Sequence, residues 1–217
     1  MNEHLRAVRD DSLGVRRDLT RPALPWPDTT QAAEGMPRRP WTRAEIEAMV
    51  KAGIIDEDER FELIGGEVVP MSPKGARHEL VKMELNRHLL TAGLLDLNIV
   101  PETTLWLDEI SFVEPDFCIW PRSIAPGSQR GHDVLLVIEI ADTSLRYDLG
   151  RKIGIYAAYG VPEVWVIDAN RLATHVYRNL GAEGYREIAE LDAGRTIVAI
   201  RADGISMCLS ALGLAPL

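Results

Sequence analysis

Residues 134–141 read Val-Leu-Leu-Val-Ile-Glu-Ile-Ala, the most continuous apolar run in the chain. A run without alternation predicts a strand buried on both faces, as in the middle of a sheet covered by helices. Residues 164–168, Val-Trp-Val-Ile-Asp, repeat the pattern. Between the two lies a helical stretch over about 146–159 that stops at Gly160, with Pro162 just beyond. Strand, helix and strand at that spacing predict a right-handed parallel βαβ unit. Upstream, Thr42 followed by Glu45 forms a capping box that opens a helix running to Ala52. Segments 60–64 and 67–71 flank Gly65-Gly66, a two-residue hairpin signal. Ser72-Pro73 then introduces a helix over about 75–92, with Leu80, Val81, Leu85, Leu89 and Leu90 at helical spacing and Lys74, Arg77, Lys82 and Arg87 around them. Strands are expected around 99–107 and 111–120, with Asp108-Glu109 at the turn between them. Short strands near 173–178, 185–191 and 196–201 follow, and no internal repeat is visible. The fold class expected is α/β, a mixed β-sheet core flanked by helices.

Residues 1–41 break this picture. They show no sustained periodicity and carry Pro22, Pro25, Pro27, Pro37 and Pro40, so they read as a flexible or loosely docked arm. Residues 42–217 read as one domain, a size that one core can serve. No apolar run approaches the roughly 20 residues of a membrane helix, and the first charges are not followed by an apolar signal core. With two cysteines, Cys118 and Cys208, the expectation is a reduced, cytoplasmic protein with inert thiols.

Charge adds one constraint. The net charge is −9, from 24 basic and 33 acidic residues. Residues 1–40 hold seven Arg against six acids, so the acidity lies in the body of the chain. That does not favour tight non-specific nucleic-acid binding through clustered Lys and Arg. It leaves a phosphate substrate open, because divalent cations reverse the local sign at a carboxylate cluster.

The chemistry starts from Glu139, a lone carboxylate inside the apolar run, costly there unless a cation or donors meet it. Asp116 follows Pro115 at the entrance of another strand, and adjacent pairing of the two strands brings the acids together. Glu139 is two residues before the end of its strand, about 7 Å from it. Lys152 is about six residues into the returning helix, roughly 9 Å, so its ammonium falls near the level of Glu139. Asp148 and Lys152 are four apart and share a helix face, which Tyr156 and Tyr159 continue. Two acids and a lysine so arranged are the parts of a metal-dependent phosphodiesterase, with oxygen ligands suited to Mg²⁺ or Mn²⁺. Each residue also has a plainer role. Asp148 and Lys152 can be a surface pair worth about 0.3–0.5 kcal/mol, and Glu139 can be a buried partner for an Arg. Asp116 can be a turn residue, Glu62 a solvated strand residue, and His78 a helix cap. Tyr156 and Tyr159 suit packing. His78, Asp148 and Tyr156 are the candidates for substrate contact.

The motifs in order are Phe61-Glu62-Leu63-Ile64-Gly65-Gly66-Glu67, Met71-Ser72-Pro73 with His78 after it, Pro115-Asp116, Val137-Ile138-Glu139-Ile140, Tyr147-Asp148-Leu149-Gly150-Arg151-Lys152 with Tyr156, and 160–168. Together they resemble the Uma-type restriction endonucleases of the PD-(D/E)xK nuclease superfamily, over roughly residues 42–200. The resemblance implies a restriction-endonuclease-like fold, Asp116 and Glu139 as metal-binding acids, Lys152 as the catalytic lysine and Glu62 as an additional acid. The superfamily's basic pattern sets its lysine two residues after the second acid, where this chain has Ala141; the family pattern carries it on the following helix, where Lys152 stands. The expected function is a Mg²⁺- or Mn²⁺-dependent endonuclease hydrolysing DNA through a metal-activated water, acting as a homodimer. The alternatives are a non-catalytic nucleic-acid- or protein-binding module of the same fold, or a hydrolase of another phosphoester such as RNA.

Overall fold

Thr42 opens the first element as its motif predicts. Its hydroxyl accepts the Glu45 backbone N–H at 3.3 Å, and Glu45 returns the bond to the Thr42 N–H at 2.9 Å. The computed structural model describes residues 39–217 apart from Thr143, so all but the last three residues of the expected arm lie outside the described residues. Helix α1 spans Arg43–Lys51. Strands β1 (Phe61–Ile64) and β2 (Glu67–Pro70) form the expected antiparallel hairpin. Both turn residues have positive φ, +60° at Gly65 and +80° at Gly66, the conformation a type I′ turn requires. At Gly66 a side chain is also excluded by space, since a Cβ there would lie 2.3 Å from that of Pro40.

Helix α2 (Ala76–Thr91) buries His78, Val81, Leu85 and Leu89, a line at three- and four-residue spacing. Leu80 and Leu90, expected in that stripe, fall off it and are 40% and 63% exposed. The two strands expected between 99 and 120 are four: β3 (Leu97–Pro101), β4 (Leu105–Asp108), β5 (Ser111–Val113) and β6 (Phe117–Pro121). Glu102 ends β3 by adopting left-handed backbone, φ +50°, and Pro115, lacking an N–H, separates β5 from β6. The inner pair joins the hairpin in a four-stranded sheet of order β2-β1-β5-β4, while β3 and β6 belong to a larger sheet.

That sheet is built on β7 (Leu136–Ala141), buried at every position. The chain then runs through a helical turn α3 (Leu145–Tyr147), a π-helical turn over Asp148–Lys152, and α4 (Ile153–Ala158). Gly160, φ +83°, closes this stretch. Strand β8 (Val164–Asp168) lies parallel to β7, as expected of the βαβ unit. The long hairpin β9 (Ala173–Gly181) and β10 (Gly184–Leu191) follows. The strand expected at 196–201 shrinks to β11 (Ile197–Val198), which pairs with β12 (Ser206–Met207), an element the sequence pattern does not announce. The sheet order is β10-β9-β8-β7-β6-β3, antiparallel except between β7 and β8. The expectation of a mixed sheet with helices on it therefore holds.

Alternation along β7 divides the core. Leu136, Ile138 and Ile140 join Phe117, Trp165 and the buried stripe of α2 on one face. Val137 and Ala141 join Cys118, Val166, Ile155 and Tyr156 on the other. Glu139, between Val137 and Ala141, therefore projects to the α4 side. Among the described residues no helix is long and apolar enough to cross a membrane.

Candidate active site

Glu139 is 3% exposed. Its Oε1 receives the Lys152 ammonium at 3.0 Å and the Tyr156 hydroxyl. Its Oε2 accepts the Asp116 backbone N–H at 3.4 Å. Burial pushes its carboxyl up to about 8. Lys152 opposes that rise, and the negative charges of Asp116 and Asp148 add to it. This acid is poised to gain from an added cation.

Lys152 closes the π-helical turn. Its Nζ lies 3.0 Å from Glu139 Oε1 and 3.0 Å from Glu62 Oε1, and it is 6% exposed. Burial works against its charge, but Glu139, Glu62 and Asp148 outweigh burial and hold its pKa well above the usual lysine value. Glu62 is buried rather than solvated; its Oε1 also accepts the Glu114 backbone N–H at 3.0 Å. The small sheet is thus tied to the large one through the site. Asp148 and Lys152 are both buried, so the surface pair is set aside. Among the described residues Lys152 pairs with the two glutamates, while Asp148 accepts the Ser144 hydroxyl. Burial raises the Asp148 carboxyl.

Asp116 enters from β6, whose register places Phe117 opposite Ile138. Its Oδ2 accepts the Ile140 backbone N–H at 2.8 Å. Its Oδ1 faces His78 Nε2 at 3.0 Å and Lys74 Nζ at 2.7 Å. Burial raises this carboxyl, but His78 and Lys74 overcome it and bring it down to about 2. The structure thus gathers Glu62, His78, Asp116, Glu139, Asp148 and Lys152 at one cleft of about 310 Å³. Tyr156 is the exception among the candidates for substrate contact. It is wholly buried behind Glu139 and does not line the cleft, so its geometry is that of a group positioning the acid.

Two further residues, Lys74 in the cleft lining and its partner Glu102, carry no clear signal in the sequence. Lys74 reads as one of several bases around α2, yet its ammonium bridges Asp116 and Glu102 Oε1, the latter at 2.6 Å. Glu102 also takes Lys82 at 3.0 Å and has Arg60 at 3.7 Å. Nothing in its local pattern marks it, because its partners lie 20 to 42 residues away in sequence. Lys74 chiefly, against some burial and with Lys82, lowers the Glu102 carboxyl to about 2. A folded-state pKa below the usual carboxylate value contributes stability above about pH 4.5 that fades as pH falls toward 2. Glu102→Gln is therefore expected to melt lower than the parent chain at pH 5, with the gap closing by pH 2; thermal unfolding across that range checks it.

Among the described residues no three His, Cys, Asp or Glu side chains converge as a ready ion cage. Two carboxylates, one on β7 and one at the entrance of β6, both lining the cleft, suit Mg²⁺ or Mn²⁺ nonetheless, since such ions keep several waters and need only one or two protein carboxylates. Glu139 Oε2 meets only a long backbone contact, and the cost of burying Glu139 falls when a cation joins it.

The sequence matches the Uma2 family model, described as "Putative restriction endonuclease", over residues 44–206. The chain belongs to the Uma2 family. The crystal structure of a "putative nuclease belonging to DUF820" from Anabaena variabilis is similar to this Uma2 chain with a TM-score of 0.61 at 16% identity, covering 80% of this chain and 97% of that one. The likeness shows a shared fold. The type IIG restriction endonuclease BpuSI matches at a TM-score of 0.38 and 15% identity, over 58% of this chain and 15% of its own, too loosely to carry an argument. No curated protein sequence matches the chain.

Proposed function

We propose that this Uma2 chain is a Mg²⁺- or Mn²⁺-dependent endonuclease that hydrolyses DNA phosphodiester bonds. The observation that carries the reading is the Lys152 ammonium held between Glu62 and Glu139, with Asp116 at the entrance of the adjoining strand, all lining one cleft. Asp116 and Glu139 would hold the ion. Bound there, the ion neutralises phosphate charge and acidifies water. Lys152 keeps its proton because three acids surround it, so its part is to stabilise charge developing on the phosphate or to orient the attacking water, not to accept a proton. Tyr156 fixes Glu139 Oε1, leaving Oε2 turned to the adjoining strand. Family membership and the shared fold support a nuclease, and the family description supports DNA as substrate. Cutting both strands of a duplex needs two such sites, which a homodimer with twofold symmetry supplies.

A second reading, a non-catalytic binding module of the same fold, draws on one observation: both oxygens of Asp116 already have partners within the chain. Plasmid cleavage with Mg²⁺ or Mn²⁺ separates the two. The nuclease reading expects nicking and linearisation by the parent chain, lost in Asp116→Ala and Glu139→Ala. Intact plasmid with every metal favours the binding module instead, and unchanged cleavage by both variants would show that this cleft is not where DNA is cut.

A further inference from the structure

Lys74 sits one residue before the N-cap of α2. A Cβ on Gly75 would lie 2.5 Å from Asp142 Oδ2, so the helix start is pressed against the exit of β7. Asp142 is itself held, its Oδ1 receiving Asn170 Nδ2 at 3.0 Å. The Lys74 side chain is 14% exposed. Its four-carbon stem lines the cleft, and its ammonium touches two carboxylates at nearly equal distance, Asp116 Oδ1 at 2.7 Å and Glu102 Oε1 at 2.6 Å. A cation can replace one of these contacts while the other persists. Asp116 Oδ1 is also the oxygen that carries no backbone bond, since Oδ2 is engaged by Ile140 N–H. That oxygen is shared by Lys74 and by His78 Nε2 at 3.0 Å, so an ion reaching it competes with Lys74 while His78 stays beside it.

We infer that Lys74 is a second functional lysine, which competes with the metal ion for Asp116 and, once displaced, stays tethered by Glu102 as a ligand for a DNA phosphate. The inference rests on the metal-dependent reading given above. Displacement turns a counter-ion of the metal-free site into a positive group at the cleft wall, where the phosphate arrives. Glu102 suits the tether because Lys82 and Arg60 also face it, so it does not depend on Lys74 alone for its charge balance. Lys82 makes a matched control: it shares Glu102 Oε1 with Lys74, but its ammonium pairs with Glu79 and Glu102, not with Asp116.

Calorimetric titration of the full chain with MnCl₂ in the absence of DNA tests the first half. The parent chain binds Mn²⁺, Lys74→Met binds it about tenfold more tightly because a charged hydrogen bond no longer competes, and Lys82→Met matches the parent. Fluorescence anisotropy with a short duplex in Ca²⁺ tests the second half. Lys74→Met lowers the slope of log affinity against log salt by about one, the signature of one lost phosphate contact, while Lys74→Arg keeps the parent slope. Unchanged or weaker Mn²⁺ binding by Lys74→Met, equal tightening in Lys82→Met, or an unchanged salt slope overturns the role of Lys74 while leaving the metal site standing. A parent chain that takes up no Mn²⁺ defeats the metal reading itself, and this inference with it.

Discussion

Lys152→Met is expected to cut the rate of DNA cleavage by about 10²–10³-fold at saturating Mn²⁺, the scale for removing one preorganised charged donor from a dry site. The same change exposes what the lysine does for the fold. Glu62 and Glu139 both place Oε1 3.0 Å from its Nζ and are 2% and 3% exposed. Without the lysine both buried acids lose their shared cation, and breaking such a pair costs about 3–5 kcal/mol. Urea unfolding in EDTA reads that cost, and the double variant Glu62→Gln/Lys152→Met should recover part of it. Cleavage should not recover with it. Stability and activity regained together would mean that Lys152 serves the fold alone.

Trp165→Ala carries an expected stability loss of the same size, from the core rather than the site. The indole is fully buried in β8, where Trp165 pairs with Ile138 on one side and Val176 on the other. Its Nε1–H donates to Glu163 Oε1 at 2.9 Å, and Glu163 in turn accepts the Ile200 N–H at 2.8 Å. Truncation opens a large cavity and strips a buried carboxylate of a donor. The expected loss is about 3–5 kcal/mol, a drop in melting temperature of roughly 6–20 °C for a chain of this size. Trp165→Phe, which fills most of the space but cannot donate, should lose less. The site does not touch Trp165, so the folded fraction at low temperature should cut DNA near the parent rate.

Much of this arrangement is legible in the chain because single elements carry it. Glu139 stands out against a run that can only be a buried strand, and Lys152 follows from the rise of the helix after it. Asp116 follows from the adjacency of β6 and β7. What stays hidden depends on packing between elements. Glu62 looks like one residue of a half-exposed hairpin until the small sheet folds against the large one and buries it. The π-helical turn over Asp148–Lys152 leaves no mark in composition, yet it takes the place of the regular helix expected there. The end of β3 within segment 99–120 depends on Glu102 taking left-handed backbone, an uncommon choice for a residue other than glycine. The same residue then gathers Lys74, Lys82 and Arg60. Its role is a tertiary fact, invisible to periodicity.

If Asp116 and Glu139 together hold a divalent ion, crystals soaked in Mn²⁺ and measured for anomalous scattering reveal it most directly. The expected result is a peak within ligand distance of both carboxylates, with the Lys74 ammonium moved off Asp116. A map with no peak between the two acids at a Mn²⁺ concentration that supports cleavage, and with Lys74 still seated on Asp116, would contradict the shared metal site.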